Sequence, residues 1–235
     1  MPKINVYLPD DLADAVRDAQ VPVSAICQRA LEQAVRRITT IRRTVLDELD
    51  PAALAGQLPH FTARAVTVLS LAVNRARAAG AETVTTGHLL GGMLAEGANL
   101  GLQILHTLDI DPVALDEPDA AEPGPGGGGL RFSTAAANAV ELAVTEATGL
   151  GHNYVGCEHL LIGLSAEPDG GAGRLLRDRG ADGRATRRAV AAVLTGYARG
   201  RDATATADVP QVLAAVRAEL SPLIRRIEAL EQRVS

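Results

Sequence analysis

Histidine, cysteine, threonine and glutamate come together twice in this chain, at Thr85-Thr86-Gly87-His88 and at Gly156-Cys157-Glu158-His159, and both stretches read as the opening turn of a helix. Side chains of these types can ligate a metal, pair as nucleophile and base, or receive an anion. Spacing decides which. His88 and His159 lack metal-ligand spacing, and Glu158-His159 is not a zinc-protease motif, so no metal site is expected. Cys157 and His159 stand too close along one helix for nucleophile and base, and a buried cysteine is the commoner state of such a residue. An anion is the remaining use, because the first turn of a helix presents unpaired N–H groups and the positive end of its dipole. Nucleotide chemistry is not provided for: no Gly-x-x-x-x-Gly-Lys-Ser/Thr loop occurs, and the glycines at 126–129 carry no lysine. The chain reads as non-enzymatic, with no catalytic residue and no cofactor.

The elements that must position these two stretches are copies of one another. Phe61-Thr62 recurs 71 positions later as Phe132-Ser133. Without a gap, the same offset pairs Leu71 with Leu142, Gly80 with Gly151, Val84 with Val155, His88 with His159, Leu105 with Leu176 and Asp111 with Asp182. A register kept that long, with apolar positions matched and surface positions drifting, marks two copies of one helical unit. The copies span 60–115 and 130–195, the second ending in a helix over Ala185–Tyr197. Composition agrees with a mainly α fold. Apolar residues make up 47% of the chain, aromatics only 2%, and tryptophan is absent, so the core must come from closely packed helices rich in Ala, Val and Leu.

The pattern Phe-Thr/Ser, an apolar helix, then Gly151-His152-Asn153-Tyr154-Val155-Gly156-Cys157-Glu158-His159-Leu160-Leu161-Ile162-Gly163-Leu164 resembles the N-terminal domain of Clp ATPases of the ClpA/ClpC type. The second copy matches closely and the first more loosely. The resemblance implies two four-helix units packed by pseudo-twofold symmetry over residues 60–195, a non-catalytic domain that docks substrates and adaptors. It also implies a site. In ClpC-type relatives a Thr-Glu pair at this helix start binds phosphorylated arginine, the Thr and the helix start taking the phosphate and the Glu the guanidinium. Carried over by position, the pair falls on Thr86 and Gly87 in the first copy and on Cys157 and Glu158 in the second, so each copy keeps one half. The alternative for Thr86 is a plain helix cap, and for Glu158 a complement to the dipole. Phe61 and Phe132 open their repeats, where they anchor helices in the core; in relatives the corresponding surface also receives adaptors and small cyclic peptides.

Outside the repeats, residues 3–8 alternate polar and apolar as a short strand, with Lys3, Asn5 and Tyr7 facing outward. Asp10 or Asp11 is placed to cap a helix over about 12–19, and Ser24 to cap a second carrying Ile26, Leu31 and Val35 on one face. Strand, helix, helix over 1–43, entered by Leu8-Pro9-Asp10-Asp11-Leu12, looks like the ribbon-helix-helix family, whose units dimerise through paired strands. In that family the outward strand residues read DNA bases, here Lys3, Asn5 and Tyr7; dimerisation without DNA is the other reading. Residues 44–59 continue as connecting helix until Asp50-Pro51. Residues 116–129, rich in Gly, Pro and acids, read as a flexible linker adding no structure, and 200–207 as another. Over 208–235 a heptad seam from Val212 to Val234 predicts a coiled-coil or folded-back amphipathic helix, interrupted at Pro222.

The formal charge of −5 argues against a surface given over to nucleic acid. Cys27 and Cys157 make no disulfide framework, no signal-like apolar run opens the chain, and no segment is long enough to span a bilayer, so a cytoplasmic protein with no membrane contact is expected. The expected function is to bind the substrates, adaptors or small ligands of a Clp unfoldase or protease, as decoy, adaptor or protective factor. The alternative is a DNA-binding transcriptional regulator with the Clp-like domain as its sensor; a homodimer is expected on either reading.

Overall fold

The computed structural model describes residues 7–46, 48–118, 121–125 and 129–206. Two compact units divide the chain at Thr186. The first contains α1 (Asp10–Asp18), α2 (Val23–Leu46), α3 (Leu54–Gln57), α4 (Ala63–Ala78), β1 (Thr83–Val84), α5 (Thr86–Glu96) and α6 (Leu100–Thr107), then a 3-10 turn at Pro112–Ala114. It continues with β2 (Arg131–Phe132), α7 (Thr134–Gly149), α8 (Cys157–Ala166) and α9 (Gly171–Asp178). A last helix, α10 (Gly183–Thr206), begins in the first unit and runs through the described part of the second. No described helix is long and apolar enough to cross a membrane.

The repeat is visible in the hydrogen bonds. Thr62 caps α4 by accepting from the Ala65 N–H at 3.2 Å, and Ser133 caps α7 by accepting from the Ala136 N–H at 2.9 Å. The backbone N–H of Thr85 donates to His88 Nδ1 at 3.0 Å, and that of Gly156 donates to His159 Nδ1 at 2.9 Å. The repeated histidines are thus helix-start acceptors, in the place a capping box gives to Glu or Gln.

The two copies exchange short extended segments. β1 and β2 pair in parallel, Val84 opposite Phe132, and Ser133 N–H donates to the Val84 carbonyl at 2.9 Å. In the reciprocal pairing Phe61 bridges to Val155, and Thr62 N–H donates to the Val155 carbonyl at 3.0 Å. Each copy's opening residues therefore pair with the segment leading into the other copy's central helix. Phe61 and Phe132 are buried at this seam, 7% and 2% exposed.

Within each copy the first two helices lie in close contact at a glycine. A Cβ on Gly92 would stand 2.4 Å from the Val68 carbonyl, and one on Gly163 would stand 2.1 Å from the Ala139 carbonyl. Only a residue without a side chain allows α4 to meet α5, and α7 to meet α8, at that distance.

Several details differ from the expectations above. Tyr7 and Leu8 are not in a strand, and positions 3–6 of the expected strand lie outside the described residues. Pro9 and Pro22 precede α1 and α2 with their carbonyls accepting the first helical N–H groups, so Asp10, Asp11 and Ser24 fall inside first turns instead of capping. Proline suits a helix entrance because it has no N–H to leave unpaired and its φ is already helical. α2 runs unbroken past residue 43. The fourth element of the first copy is the short 3-10 turn, since Pro118 and Pro123 follow where a longer helix would extend. The expected linker at 200–207 is helical through Thr206, and the heptad region 208–235 lies outside the described residues. The expectation that 116–129 adds no structure is overturned: Glu122 is 8% exposed and bonded on all sides.

Gly163→Ala is expected to destabilise the protein by about 2 kcal/mol or more, the overpacking cost of forcing α7 from α8. Gly149 ends α7 with open space for 4 Å around the point where a Cβ would stand, so Gly149→Ala is expected to stabilise by about 0.5 kcal/mol. Urea unfolding of both variants checks the pair.

Candidate functional site

At the first-copy helix start, the threonine singled out by its sequence position is fully buried. Thr86 is 0% exposed. Its N–H donates to Glu122 Oε2 at 2.9 Å, and its hydroxyl donates to Glu122 Oε1. The same carboxylate accepts from Ser133 Oγ at 2.5 Å and from the Gly171 N–H at 3.0 Å, while the Ala172 N–H donates to Thr86 Oγ1 at 3.1 Å. Glu122 thus sits where α5, α7 and α9 all begin, and their dipoles and free N–H groups favour one negative charge there. Gly87, in the position of the family's Glu, faces the connector: a Cβ there would stand 2.3 Å from the Pro118 carbonyl. Glu117 is ion-paired with Arg75, whose Nε donates at 2.8 Å. Beside these residues opens a cleft of about 810 Å³ that includes Arg75, Thr85, His88, Glu117 and Glu122 in its walls.

At the second-copy start, the helix supplies its own carboxylate. Glu158 is 4% exposed and its oxygens curl back over Gly156, within 2.6 Å of where a Cβ would stand. Burial raises its pKa, opposed by its own N–H, a hydrogen bond from Tyr154 and the charge of His152. His152 and Tyr154 stack with ring centroids 5.2 Å apart, and His152 Nδ1 lies 2.8 Å from His159 Nε2. Cys157, in the family's Thr position, is buried, and burial together with the Glu158 charge pushes its thiol up to about 12. Such a thiol is inert as a nucleophile. Across from α8 lies the start of α6, where a Cβ on Gly101 would stand 3.2 Å from the Cys157 carbonyl. Both starts therefore face a helix start of the other copy: α5 faces α9, and α8 faces α6.

The copies also differ in a buried carboxylate that sequence reasoning missed. Glu96 and Glu167 are equivalent by the offset. Burial pushes the Glu96 pKa up, but Asn99, the Ala98 N–H and Arg64 outweigh it and hold it below the usual range, with Arg64 donating to Oε1 at 2.6 Å. In the second copy Ala135 stands where Arg64 would. Glu167 Oε2 accepts from the Asp169 N–H at 3.0 Å and from the Gly170 N–H, but the buried Oε1 has no hydrogen-bond partner. Burial raises its pKa, and the charges of Asp169 and Glu122 add to the rise.

Of the remaining contact candidates, Phe61 and Phe132 lie in the repeat seam, so neither ring is presented to an adaptor or peptide. That burial corrects their expected place on a docking surface; the backbone exchange draws them inward. Lys3 and Asn5 lie outside the described residues, and Tyr7 is 94% exposed. No group of three His, Cys, Asp or Glu among the described residues could hold a metal ion.

Residues 60–125 and 131–226 each match the Clp repeat (R) N-terminal domain, together well over half of the chain. The chain belongs to this family. The chain is 34% identical over 156 residues to the tomato (Solanum lycopersicum) ATP-dependent Clp protease ATP-binding subunit ClpA homolog CD4B, chloroplastic, covering 65% of this chain and 17% of that protein. It is 36% identical over 127 residues to the Arabidopsis thaliana chaperone protein ClpC1, chloroplastic, covering 52% of this chain and 14% of that one. The chain thus spans about a sixth of the length of these relatives. Among solved structures, the N-terminal domain of the Arabidopsis thaliana chaperone ClpD matches with a TM-score of 0.43 at 24% identity, over 59% of this chain and 96% of that domain.

Because its folded pKa is raised, Glu167 contributes fully to stability below the ordinary carboxylate range and loses that contribution as pH rises through the raised value. Glu167→Gln removes this titration. Unfolding curves at pH 4 and pH 8 are expected to show the variant gaining on the natural protein at the higher pH; an equal difference at both would place Glu167 outside the pH response.

Proposed function

We propose that this protein is a non-catalytic Clp-associated binding protein that holds substrates, adaptors or small ligands of a Clp unfoldase, as a decoy, adaptor or protective factor. The observation that carries the reading is the closed pair of Clp repeats with Glu158 kept at a helix start, beside the stacked His152 and Tyr154. A carboxylate at that place is suited to a guanidinium, and the positive dipole ends of α8 and α6 are suited to an oxyanion, the two charges that phosphoarginine carries. Nothing in these 235 residues supplies a nucleotide loop, so the domain's own contribution is to hold a client, not to unfold it. Isothermal calorimetry with a phosphoarginine peptide is expected to show binding that Glu158→Ala weakens by about tenfold or more, the loss typical of a charged hydrogen-bond partner. Equal, negligible heats for both proteins would remove phosphoarginine recognition.

The helices α1 and α2 support a homodimer. Leu12, Ile26, Leu31 and Val35 are 46–60% exposed, and α1 buries no residue of its own. Apolar side chains along one two-helix unit in that state favour a second copy as their cover. The full chain is expected to sediment as a dimer and Leu31→Glu as a monomer; a monomeric natural protein at tens of micromolar would overturn this reading.

A further inference from the structure

The connector between the repeats lies on the first-copy helix start as a ligand would. Glu122 receives two N–H groups and two hydroxyls, drawn from Thr86, Ser133 and Gly171, residues far apart in sequence. A carboxylate held by four convergent donors at three helix starts occupies the kind of cradle that a phosphoryl group takes. The rest of the connector fills the other half of the same place. The Pro118 carbonyl stands where the side chain of residue 87 would begin, so the family's Glu could not be accommodated there without displacing it. Glu117 on Arg75 ties the connector down at its entry. At the second-copy start the carboxylate, Glu158, comes from its own helix.

We propose that Glu122 is an internal ligand of this cradle, keeping the seat that a phosphoryl group would otherwise take, so that the first-copy site accepts a phosphoryl-bearing ligand only when Glu122 is out of it. A tethered carboxylate competes at high effective concentration, whereas a free ligand competes at its own. A cradle open less than about a tenth of the time weakens an incoming ligand by more than about tenfold. The two repeats are then unequal: the first-copy seat is closed by the connector, whereas the second-copy start carries a buried carboxylate from its own helix. This rests on reading the helix starts as phosphoryl seats, but it concerns Thr86 and not Glu158.

The test compares the full-length natural protein with Glu122→Ala, using inorganic phosphate as probe and phosphoarginine in a second series. Amide shifts of Thr86, Gly171 and Ala172 are followed by NMR, and melting temperature is followed in parallel. The variant is expected to show saturable shifts at these amides and a phosphate-dependent rise in melting temperature, with at least about tenfold tighter binding than the natural protein. Equal binding by both proteins would show that Glu122 does not guard the cradle. A folded variant that binds nothing at these amides would show a structural cap and no ligand seat. If Glu122→Ala does not fold in buffer, Glu122→Gln is measured in the same way, and failure of both to fold even in phosphate also overturns the proposal. Repeating the titration with Glu158→Ala separates the sites: unchanged shifts at Thr86 uphold the cradle whatever becomes of Glu158.

Discussion

The exchange of backbone pairing between the two copies is the constraint on which the rest of this molecule depends. Phe61 pairs with Val155 and Phe132 with Val84, so neither copy completes its own entrance. Each pairing is only a residue or two long, and a backbone hydrogen bond adds about 1 kcal/mol net. Their effect is geometric. They bring the start of α5 to that of α9 and the start of α8 to that of α6, while Phe61 and Phe132 bury their rings along the join. The close glycine contacts at Gly92 and Gly163 then set each central helix against the helix before it.

Bringing helix starts together creates an electrostatic demand. Several unpaired N–H groups and positive dipole ends converge at each end of the twofold relation, and burial strengthens their pull on a negative charge. The two copies meet the demand differently. The second uses Glu158, from within α8; the first has glycine there and uses Glu122, from the connector. Glu96 and Glu167 show the same divergence one layer away: Asn99, the Ala98 N–H and Arg64 together hold the pKa of the first below its usual range, whereas burial raises that of the second, which has Ala135 in place of the arginine and a buried oxygen without a hydrogen-bond partner. Duplication preserved the backbone and let the charges drift apart.

Much of the fold was legible because apolar spacing and glycines recur at one offset, and packing tolerates little change at such positions. The caps Thr62 and Ser133 and the left-handed turns at Gly80 and Gly151 repeat for the same reason. Both helix starts meet a carboxylate of the chain, a pairing that the dipole and first-turn N–H groups of a helix favour. The connector was not legible: its composition is that of a free chain, and composition says nothing of where one glutamate will find donors.

Local order thus determined the number of repeats, their helices and the two helix starts, because these depend on neighbours within a few turns. Tertiary structure alone decided that Glu122 lies on Thr86, that the phenylalanines face the seam and that Glu167 lacks the arginine its counterpart has. Those outcomes require residues from α5, the connector, α7 and α9 to meet, and no spacing along the chain encodes a meeting made only when the two copies close on each other.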